Sequence, residues 1–193
     1  MALLREFISL EYDRELIKEA SKVGGPVVLK KALLQRASSP NQNKRIYPRS
    51  ILEREIENYK KVVADNRATG ELDHPESSVV ELKNISHIIR DVWWDGEEVY
   101  GTLEILNTPS GNIVKSLMES GVKIGISSRG VGETRKNSDG FDEVDESFLL
   151  VSFDLVSEPS TINAFLFEGV QRNTFQSTRL QKINSILDEI LKS

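Results

Sequence analysis

The amino-acid sequence predicts an α+β fold in which strands dominate, with a small β-barrel flanked by helices. Three observations support this fold class. The middle of the chain holds several runs in which apolar residues alternate or cluster as they do in strands, and a compact turn signal joins two of these runs. Two further segments repeat apolar residues at helical spacing. With 193 residues, 38% of them hydrophobic, the chain suits one compact domain with less ordered ends.

In the first part of the chain we predict one strand and one helix. Residues 1–22 mix charges with Leu and Ile, which suits a helix or a mobile arm. Residues 24–37 open with turn residues and continue as an apolar run, so we expect a first strand there, followed by a turn-forming segment at 38–48. Apolar residues recur at helical spacing across 49–68, which predicts a helix with Ser50 as its N-cap.

A loop at residues 69–78 leads into a predicted β-hairpin. Residues 79–105 contain two strand-like runs, and the Asp-Gly-Glu-Glu sequence between them is a strong turn signal. Residues 108–121 carry apolar residues on one side and end at Gly121, which predicts a short helix.

Two more strands are predicted before the C-terminal tail. The first covers residues 122–133 and contains the sequence Gly-Ile-Ser-Ser-Arg-Gly, and a polar loop at 134–140 follows it. The second is the long apolar run at 148–157. The tail beyond ends in an amphipathic, helix-like stretch.

The composition excludes several kinds of site. A net charge of −5 shows no basic bias, so we do not expect nucleic acid as a partner. The absence of cysteine excludes disulfides, thiolate metal sites and cysteine nucleophiles, and it fits a reducing cytosol. No apolar run approaches the length of about 20 residues that spans a bilayer, and early acidic residues argue against a secretory signal, so no membrane association is expected.

Two adjacent serines at the end of a predicted strand either form an ordinary turn or present a hydroxyl group for chemistry. Alternation puts Ser127 on the strand face away from the core, where Gly125 leaves open space beside it. Ser128 would continue the apolar face. A nucleophile must be reachable, so alternation favours Ser127 over Ser128.

Each of the two histidines has a structural and a chemical interpretation. His74 lies in the loop Glu-Leu-Asp-His-Pro, from which a side chain can reach a reacting group, although a solvated or capping role is the alternative. His87 lies in an apolar run, which favours a half-buried, hydrogen-bonded strand residue.

Asp154 interrupts the apolar run at 148–157, where a carboxylate costs stability unless it has a partner. An arginine such as Arg90 or Arg45 would serve, and so would an imidazole, as in Ser-His-Asp hydrolysis. No zinc signature, phosphate loop or calcium loop is present in the sequence, so no metal or other cofactor is expected.

Five segments together carry a family resemblance. They are Asn-Gln-Asn-Lys-Arg-Ile-Tyr-Pro, Gly-Glu-Leu-Asp-His-Pro, Asp-Val-Trp-Trp-Asp-Gly-Glu-Glu-Val-Tyr-Gly, Gly-Ile-Ser-Ser-Arg-Gly and Asp-Leu-Val-Ser-Glu-Pro-Ser. In this order and at these intervals, from about Asn41 to Ala164, they resemble the prohead core protease (head maturation protease) family of T-even-like tailed bacteriophages. The family's fold is thought to be related to that of the herpesvirus assembly protease, which implies a small β-barrel flanked by helices.

The resemblance implies a serine endopeptidase and assigns roles to particular residues. The catalytic histidine falls on His74 and the acidic residue on Asp154. The family motif puts the nucleophile on Ser127, whereas the more distant herpesvirus pattern would favour Ser128. The backbone N–H groups around Arg129 and Gly130 are oxyanion-hole candidates. The Arg129 side chain could bind substrate or form a surface ion pair.

The resemblance also implies processing by the enzyme itself. In this family the protease is packaged as an inactive precursor that trims itself, and related proteases cut after Glu with Leu or Ile two residues earlier. Glu6, Glu168 and Glu189 fit that pattern, with Glu168 just past the last motif. The expected segments are a removable N-terminal arm or helix at 1–22, a protease domain at 23–168 and a removable tail at 169–193.

The expected substrates are internal scaffold or core proteins and the N-terminal segments of capsid proteins. Cleavage is expected inside the prohead, in the host cytoplasm. The sequence is also compatible with a homo-oligomer. The main rival interpretation is a non-catalytic capsid-assembly or scaffold protein with the same fold. An esterase using the same three residues is the weaker rival, because the second glycine of a Gly-x-Ser-x-Gly elbow is missing.

Overall fold

The structure, a computed structural model, describes residues 2–74 and 77–157. Within these residues the helices are α1 (Arg14–Lys22), α2 (Arg49–Ala64) and α3 (Pro109–Glu119), and a short 3-10 turn covers Leu82–Asn84. The strands are β1 (Ala2–Ser9), β2 (Val27–Arg36), β3 (Arg45–Ile46), β4 (Thr69–Glu71), β5 (Ile85–Asp95), β6 (Glu98–Ile105), β7 (Ile124–Gly132), β8 (Thr134–Lys136), β9 (Asp142–Val144) and β10 (Leu149–Ser157). None of the described helices is both long and apolar enough to cross a membrane.

The strands form three sheets. The first has the order β1-β7-β10, so that β7 lies in the middle and pairs antiparallel with both neighbours. The second has the order β2-β6-β5-β4 and is antiparallel throughout. A small third sheet, β3-β9-β8, contains a parallel β3–β9 pair. A bridge between Leu72 and Leu155 links the end of β4 to β10, and this link brings the first two sheets together at one place.

This architecture confirms a mixed α/β fold rich in strands, with few helices. The predicted barrel is not observed, because the described strands form three separate sheets and no sheet closes on itself. The reason lies in the pairing: β1 and β2 are edge strands of different sheets, and no ladder joins them among the described residues.

The prediction of a helix or mobile arm for residues 1–22 is wrong for β1. This strand pairs with β7 along its whole length, from the Ala2–Gly132 pair to the Ser9–Gly125 pair. The apolar alternation of this strand is hard to recognise in the sequence, because a charged residue occupies one of the inward-facing positions. That residue is Glu6, which is only 2% exposed. A helix does form at α1, where the Asp13 side chain accepts hydrogen bonds from the first-turn N–H groups.

Most of the other predicted elements are present with shifted ends. The helix predicted at 49–68 is α2, but it follows Pro48 without a side-chain cap, so the assignment of Ser50 as N-cap is wrong. The hairpin is formed by β5 and β6, and Gly96 adopts a φ of +62° at its turn. The helix before Gly121 is α3, and Thr108 caps it. Part of the predicted loop at 134–140 is instead the short strand β8.

Candidate active site

The two serines lie in β7, which is covered on both faces. Ser127 and Ser128 are each 2% exposed. The open space predicted beside Ser127 is absent, because a Cβ atom at Gly125 would lie 1.9 Å from Cε2 of the Phe7 ring. Gly125 therefore admits a ring from β1 and does not create a gap. Sequence alternation could not show this, since β7 is a middle strand with neighbours on both sides.

Alternation does place the two hydroxyl groups on opposite faces of the sheet. Ser128 Oγ accepts a hydrogen bond of 2.8 Å from Gln35 Nε2 on β2. Ser127 lies directly opposite Asp154 of β10, so their side chains share the other face. The two serines consequently have different partners and different surroundings.

His74 lies three residues after the end of β4 and bridges Ser127 and Asp154. Its Nε2 lies 2.6 Å from Ser127 Oγ and its Nδ1 lies 3.0 Å from Asp154 Oδ2. The backbone on the N-terminal side of His74 is fixed to β10, because Asp73 N–H donates to the Leu155 carbonyl at 2.8 Å. With the proton on Nδ1, the ring donates to the carboxylate while Nε2 accepts from the hydroxyl group.

The close approach of β4 to β10 depends on a glycine. A Cβ atom at Gly70 would lie 2.1 Å from the Phe153 carbonyl oxygen and 2.3 Å from His87 Nε2. Both distances are shorter than a side chain tolerates, so only glycine fits at this position. Gly70 thereby lets Glu71 and His74 reach Asp154.

The Asp154 carboxylate is buried but well supplied with donors. Oδ1 accepts from Glu71 N–H at 3.1 Å and from Ser152 Oγ at 3.0 Å, and Arg129 Nε lies 2.8 Å from Oδ2. Burial alone would raise the pKa of Asp154. The hydrogen bond from His74 and the positive charge of Arg129 outweigh burial and hold the pKa below its usual range. The carboxylate is therefore charged at neutral pH.

The predicted partners of Asp154 are in part wrong. Arg90 pairs with Glu104 and Arg45 pairs with Glu6, so neither of these arginines contacts Asp154. The partners include Arg129 and an imidazole together. Arg129 is fully buried and its ion pairs are internal, so the surface ion pair considered for its side chain is wrong, whereas its substrate-binding role stays a prediction.

Sequence reasoning missed Glu71, which is 0% exposed and ion-paired with Arg129. In the sequence it resembles an ordinary solvated glutamate in a loop, and the adjacent glycine is the one local signal of close packing. Arg129 and Gly130, whose N–H groups were oxyanion-hole candidates, lie inside the middle strand between β1 and β10. Their oxyanion role stays a prediction.

Among the self-cleavage candidates, Glu6 alone lies within the described residues. Its side chain accepts hydrogen bonds from Asn41, Asn43 and Tyr47 and pairs with Arg45 at 2.5 Å. Burial raises the pKa of Glu6 in spite of these contacts. A cut after Glu6 would require β1 to leave the sheet. Glu168 and Glu189, with the amphipathic tail, lie outside the described residues.

His87 is hydrogen-bonded as predicted but fully buried. Nδ1 accepts from Ser86 Oγ at 2.9 Å and Nε2–H donates to the Phe153 carbonyl at 2.9 Å. Burial lowers the pKa of His87 to about 4, so the ring is neutral at physiological pH. It supports the strand that lies behind the site and does not contact Ser127.

We expect His87 to make the stability of the fold depend on pH. The pKa is lower in the folded than in the unfolded chain, so the unfolded chain binds more protons below pH 6.5. The full contribution is present above pH 6.5, and about 3 kcal/mol is lost as the pH falls toward 4. Urea unfolding between pH 7 and 4.5 measures this loss, and a His87→Gln variant should show a flatter profile. Equal slopes in the two proteins would contradict the assignment.

The arrangement of His74, Ser127 and Asp154 can perform one kind of chemistry without further groups. A hydroxyl group that contacts a neutral imidazole, itself held by a charged carboxylate, can be deprotonated as it attacks an acyl carbon. Among the described residues, no cluster of three or more His, Asp or Glu side chains could hold a metal ion.

Comparisons with known proteins agree on one family. Residues 16–173 match the family described as prohead core protein serine protease. The prohead core protein protease of Enterobacteria phage T4 is 34% identical over 138 residues, which are 69% of this chain and 65% of that protein. The chain thus spans just under two thirds of that relative's length. The solved structure of the bacteriophage T4 capsid assembly protease, gp21, matches with a TM-score of 0.69 and 26% identity, covering 81% of this chain and 98% of the other.

Proposed function

The chain belongs to the prohead core protein serine protease family, and on that basis we propose that it is a serine endopeptidase of phage capsid maturation. One observation supports the chemistry above all others. His74 contacts Ser127 Oγ through Nε2 and Asp154 through Nδ1, at 2.6 and 3.0 Å. These are the contacts that a serine nucleophile, its base and the group that orients the base require.

In the proposed mechanism Ser127 Oγ attacks the carbonyl carbon of the scissile peptide bond. His74 Nε2 takes the hydroxyl proton and then gives it to the leaving amine, which leaves an acyl-enzyme on Ser127. A water molecule, deprotonated by the same nitrogen, then attacks the ester carbonyl, and the proton returns from His74 Nε2 to Ser127 Oγ as the acid product leaves. Asp154 keeps the Nδ1 proton in place and stabilises the imidazolium that forms in each step. Each step uses side chains of this chain and water, and we propose no cofactor.

The developing oxyanion needs hydrogen-bond donors close to Ser127. We propose that backbone N–H groups near Arg129 and Gly130 supply them. Arg129 and Gly130 lie two and three residues after the nucleophile in the same strand, β7. Donors aimed at such an oxyanion typically contribute about 3 kcal/mol each to transition-state stabilisation.

The proposed substrates are proteins of the assembling phage head. The relatives are called a prohead core protein protease and a capsid assembly protease. We propose that this chain cuts internal core or scaffold proteins and the N-terminal segments of capsid proteins, after glutamate, inside the prohead of an infected cell. Self-processing after Glu168 would remove the tail of residues 169–193, a cut after Glu189 would remove only residues 190–193, and a cut after Glu6 would follow only if β1 left its sheet.

A mass spectrum of the purified chain, alone and mixed with a phage core protein, tests this function. The protease should shorten itself after one of the three glutamates and cut the core protein at glutamate. Both reactions should disappear in Ser127→Ala and persist in Ser128→Ala. An intact chain that also leaves the core protein uncut would favour the rival, a non-catalytic capsid-assembly or scaffold protein.

A further inference from the structure

We propose that Arg129 is a positioning residue of this site, which holds Asp154 and the backbone beside His74, and that Glu71 balances its charge. The catalytic consequence rests on the proposed function, whereas the effect on His74 itself does not. We refer to Glu71, Arg129 and Asp154 as the buried ion cluster.

The Arg129 guanidinium connects three parts of the fold. Nε lies 2.8 Å from Asp154 Oδ2 and donates to Ser152 Oγ at 3.1 Å, both on β10. Nη1 donates to the Ser77 carbonyl at 2.8 Å, three residues beyond His74. Nη2 donates to the Glu71 carboxylate and, at 3.3 Å, to Asp154 Oδ1. A planar group with donors in a fixed fork can hold such a set of acceptors, and a lysine ammonium cannot reproduce it.

Glu71 holds the other side of the same segment. Its Oε1 accepts from Glu81 N–H at 3.0 Å and from Asn84 Nδ2 at 3.3 Å, while Oε2 accepts from Arg129. All of these partners are donors, which matches an ionised carboxylate that can only accept. The residues before and after His74 are thus attached to one buried charge network.

The charges of the buried ion cluster suit the proposed chemistry. One guanidinium and two carboxylates leave a single net negative charge, and all three residues are 0% exposed. When His74 takes a proton from Ser127, the imidazolium balances that charge. At low effective dielectric, interactions between such close charges are much stronger than in water. The cluster therefore holds a net negative charge beside the position where the imidazolium forms, while Arg129 keeps Asp154 in one orientation.

Other titratable groups that approach the buried ion cluster, within the described part of the chain, are neutral or near the surface. Burial lowers the pKa of His87 to about 4 and raises that of Tyr59, so neither carries a charge at pH 7. Asp73 is exposed. Glu81 forms its ion pair with Lys83 at 2.9 Å. Lys83, which also interacts electrostatically with Glu71, is exposed and therefore screened by solvent. The buried charge that faces His74 is thus that of the cluster.

Two variants separate charge from position. Glu71→Gln makes the cluster neutral, so the pKa of His74 should fall by about one pH unit. The imidazolium that forms when His74 takes the serine proton is then less stabilised. Glu71→Gln combined with Arg129→Met restores one net negative charge. In that double variant the pKa of His74 should return to within about half a unit of the original value. The rate of core-protein cleavage should nevertheless stay at least about tenfold low, because Asp154 has lost its guanidinium donors.

The pKa of His74 is measured by NMR titration, which is simple because the chain has two histidines and His87→Gln assigns the other signal. Glu55→Gln is the matched control, because Glu55 is also buried, at 4% exposed, and also ion-paired. Its partners, Arg54 and the Leu150 N–H, do not belong to the buried ion cluster. It should lower stability and leave the His74 signal unchanged. An unchanged pKa in Glu71→Gln, or a double variant with the original rate, would overturn the proposal.

Arg129→Lys provides a second test if the first variants do not fold. It keeps the positive charge but loses the fork, so kcat should fall at least about tenfold with KM and the pKa of His74 little changed. A Lys variant with the original kcat would count against positioning. The titration needs no substrate, so the two proposals can fail separately. A chain without protease activity would refute the proposed function, and the titration of His74 would still test the role of the buried ion cluster.

Discussion

Ser127→Ala is expected to lower the rate of core-protein cleavage by about 10⁴-fold to 10⁶-fold, the range seen when a serine nucleophile is removed. The hydroxyl group that His74 Nε2 contacts at 2.6 Å is then absent, and no acyl-enzyme can form. The residual rate would come from water attack assisted by the remaining groups. The loss should be in kcat with KM little changed, which steady-state kinetics on the purified core protein measures.

Ser128→Ala is the matched control for this experiment, since it removes a neighbouring buried hydroxyl group. Its Oγ contacts Gln35 and not His74. We expect a loss of stability of about 1–2 kcal/mol from the unsatisfied Gln35 amide, with the cleavage rate within about tenfold of the original. The reverse result, an active Ser127→Ala and an inactive Ser128→Ala, would transfer the nucleophile to Ser128.

Asp154→Asn is expected to reduce kcat by about 10⁴-fold, as in other Ser-His-Asp hydrolases. The amide cannot stabilise an imidazolium, and its N–H₂ group can donate to the ring and favour the wrong tautomer. The substitution also removes a charge that Arg129 Nε contacts at 2.8 Å. Breaking one partner of a buried ion pair costs about 3 kcal/mol or more, so this variant should also be less stable.

The kinetic effect of Asp154→Asn must be separated from unfolding. Cleavage is therefore measured per folded molecule, with the folded fraction taken from circular dichroism at the same temperature. Asp142→Asn, in β9 and ion-paired with Lys136 at 2.9 Å, is the surface control and should leave kcat unchanged. A folded Asp154→Asn protein that keeps more than about a tenth of the activity would contradict the orienting role.

Residue types and their order in the sequence made His74, Ser127 and Asp154 candidates, because each is unusual in its own segment, and the family resemblance then assigned their roles. Asp154 interrupts an apolar strand, His74 lies in a proline-containing loop, and Ser127 lies at a strand position opposite the apolar face. The contact between them depends on the register of β7 and β10, which places Ser127 across from Asp154. That register is a long-range property that no local pattern contains.

Other features of the site depend on contacts between segments far apart in sequence. The ring of Phe7 fills the space at Gly125, and no pattern within 122–133 indicates that β1 lies there. Glu71 is 10 residues from Glu81 in the chain and 58 from Arg129, and it becomes buried only through both contacts. Charged residues are usually solvated, so this fully buried cluster violates the ordinary expectation, as functional sites often do.

Active-site labelling with a fluorophosphonate, followed by peptide mass spectrometry, tests the central claim most directly. In a preparation that cleaves a phage core protein, we predict one adduct on Ser127 Oγ, loss of cleavage in step with labelling, and no adduct in His74→Ala. Labelling of Ser128 or another residue would contradict the account, and so would core-protein cleavage that continues after Ser127 is fully modified.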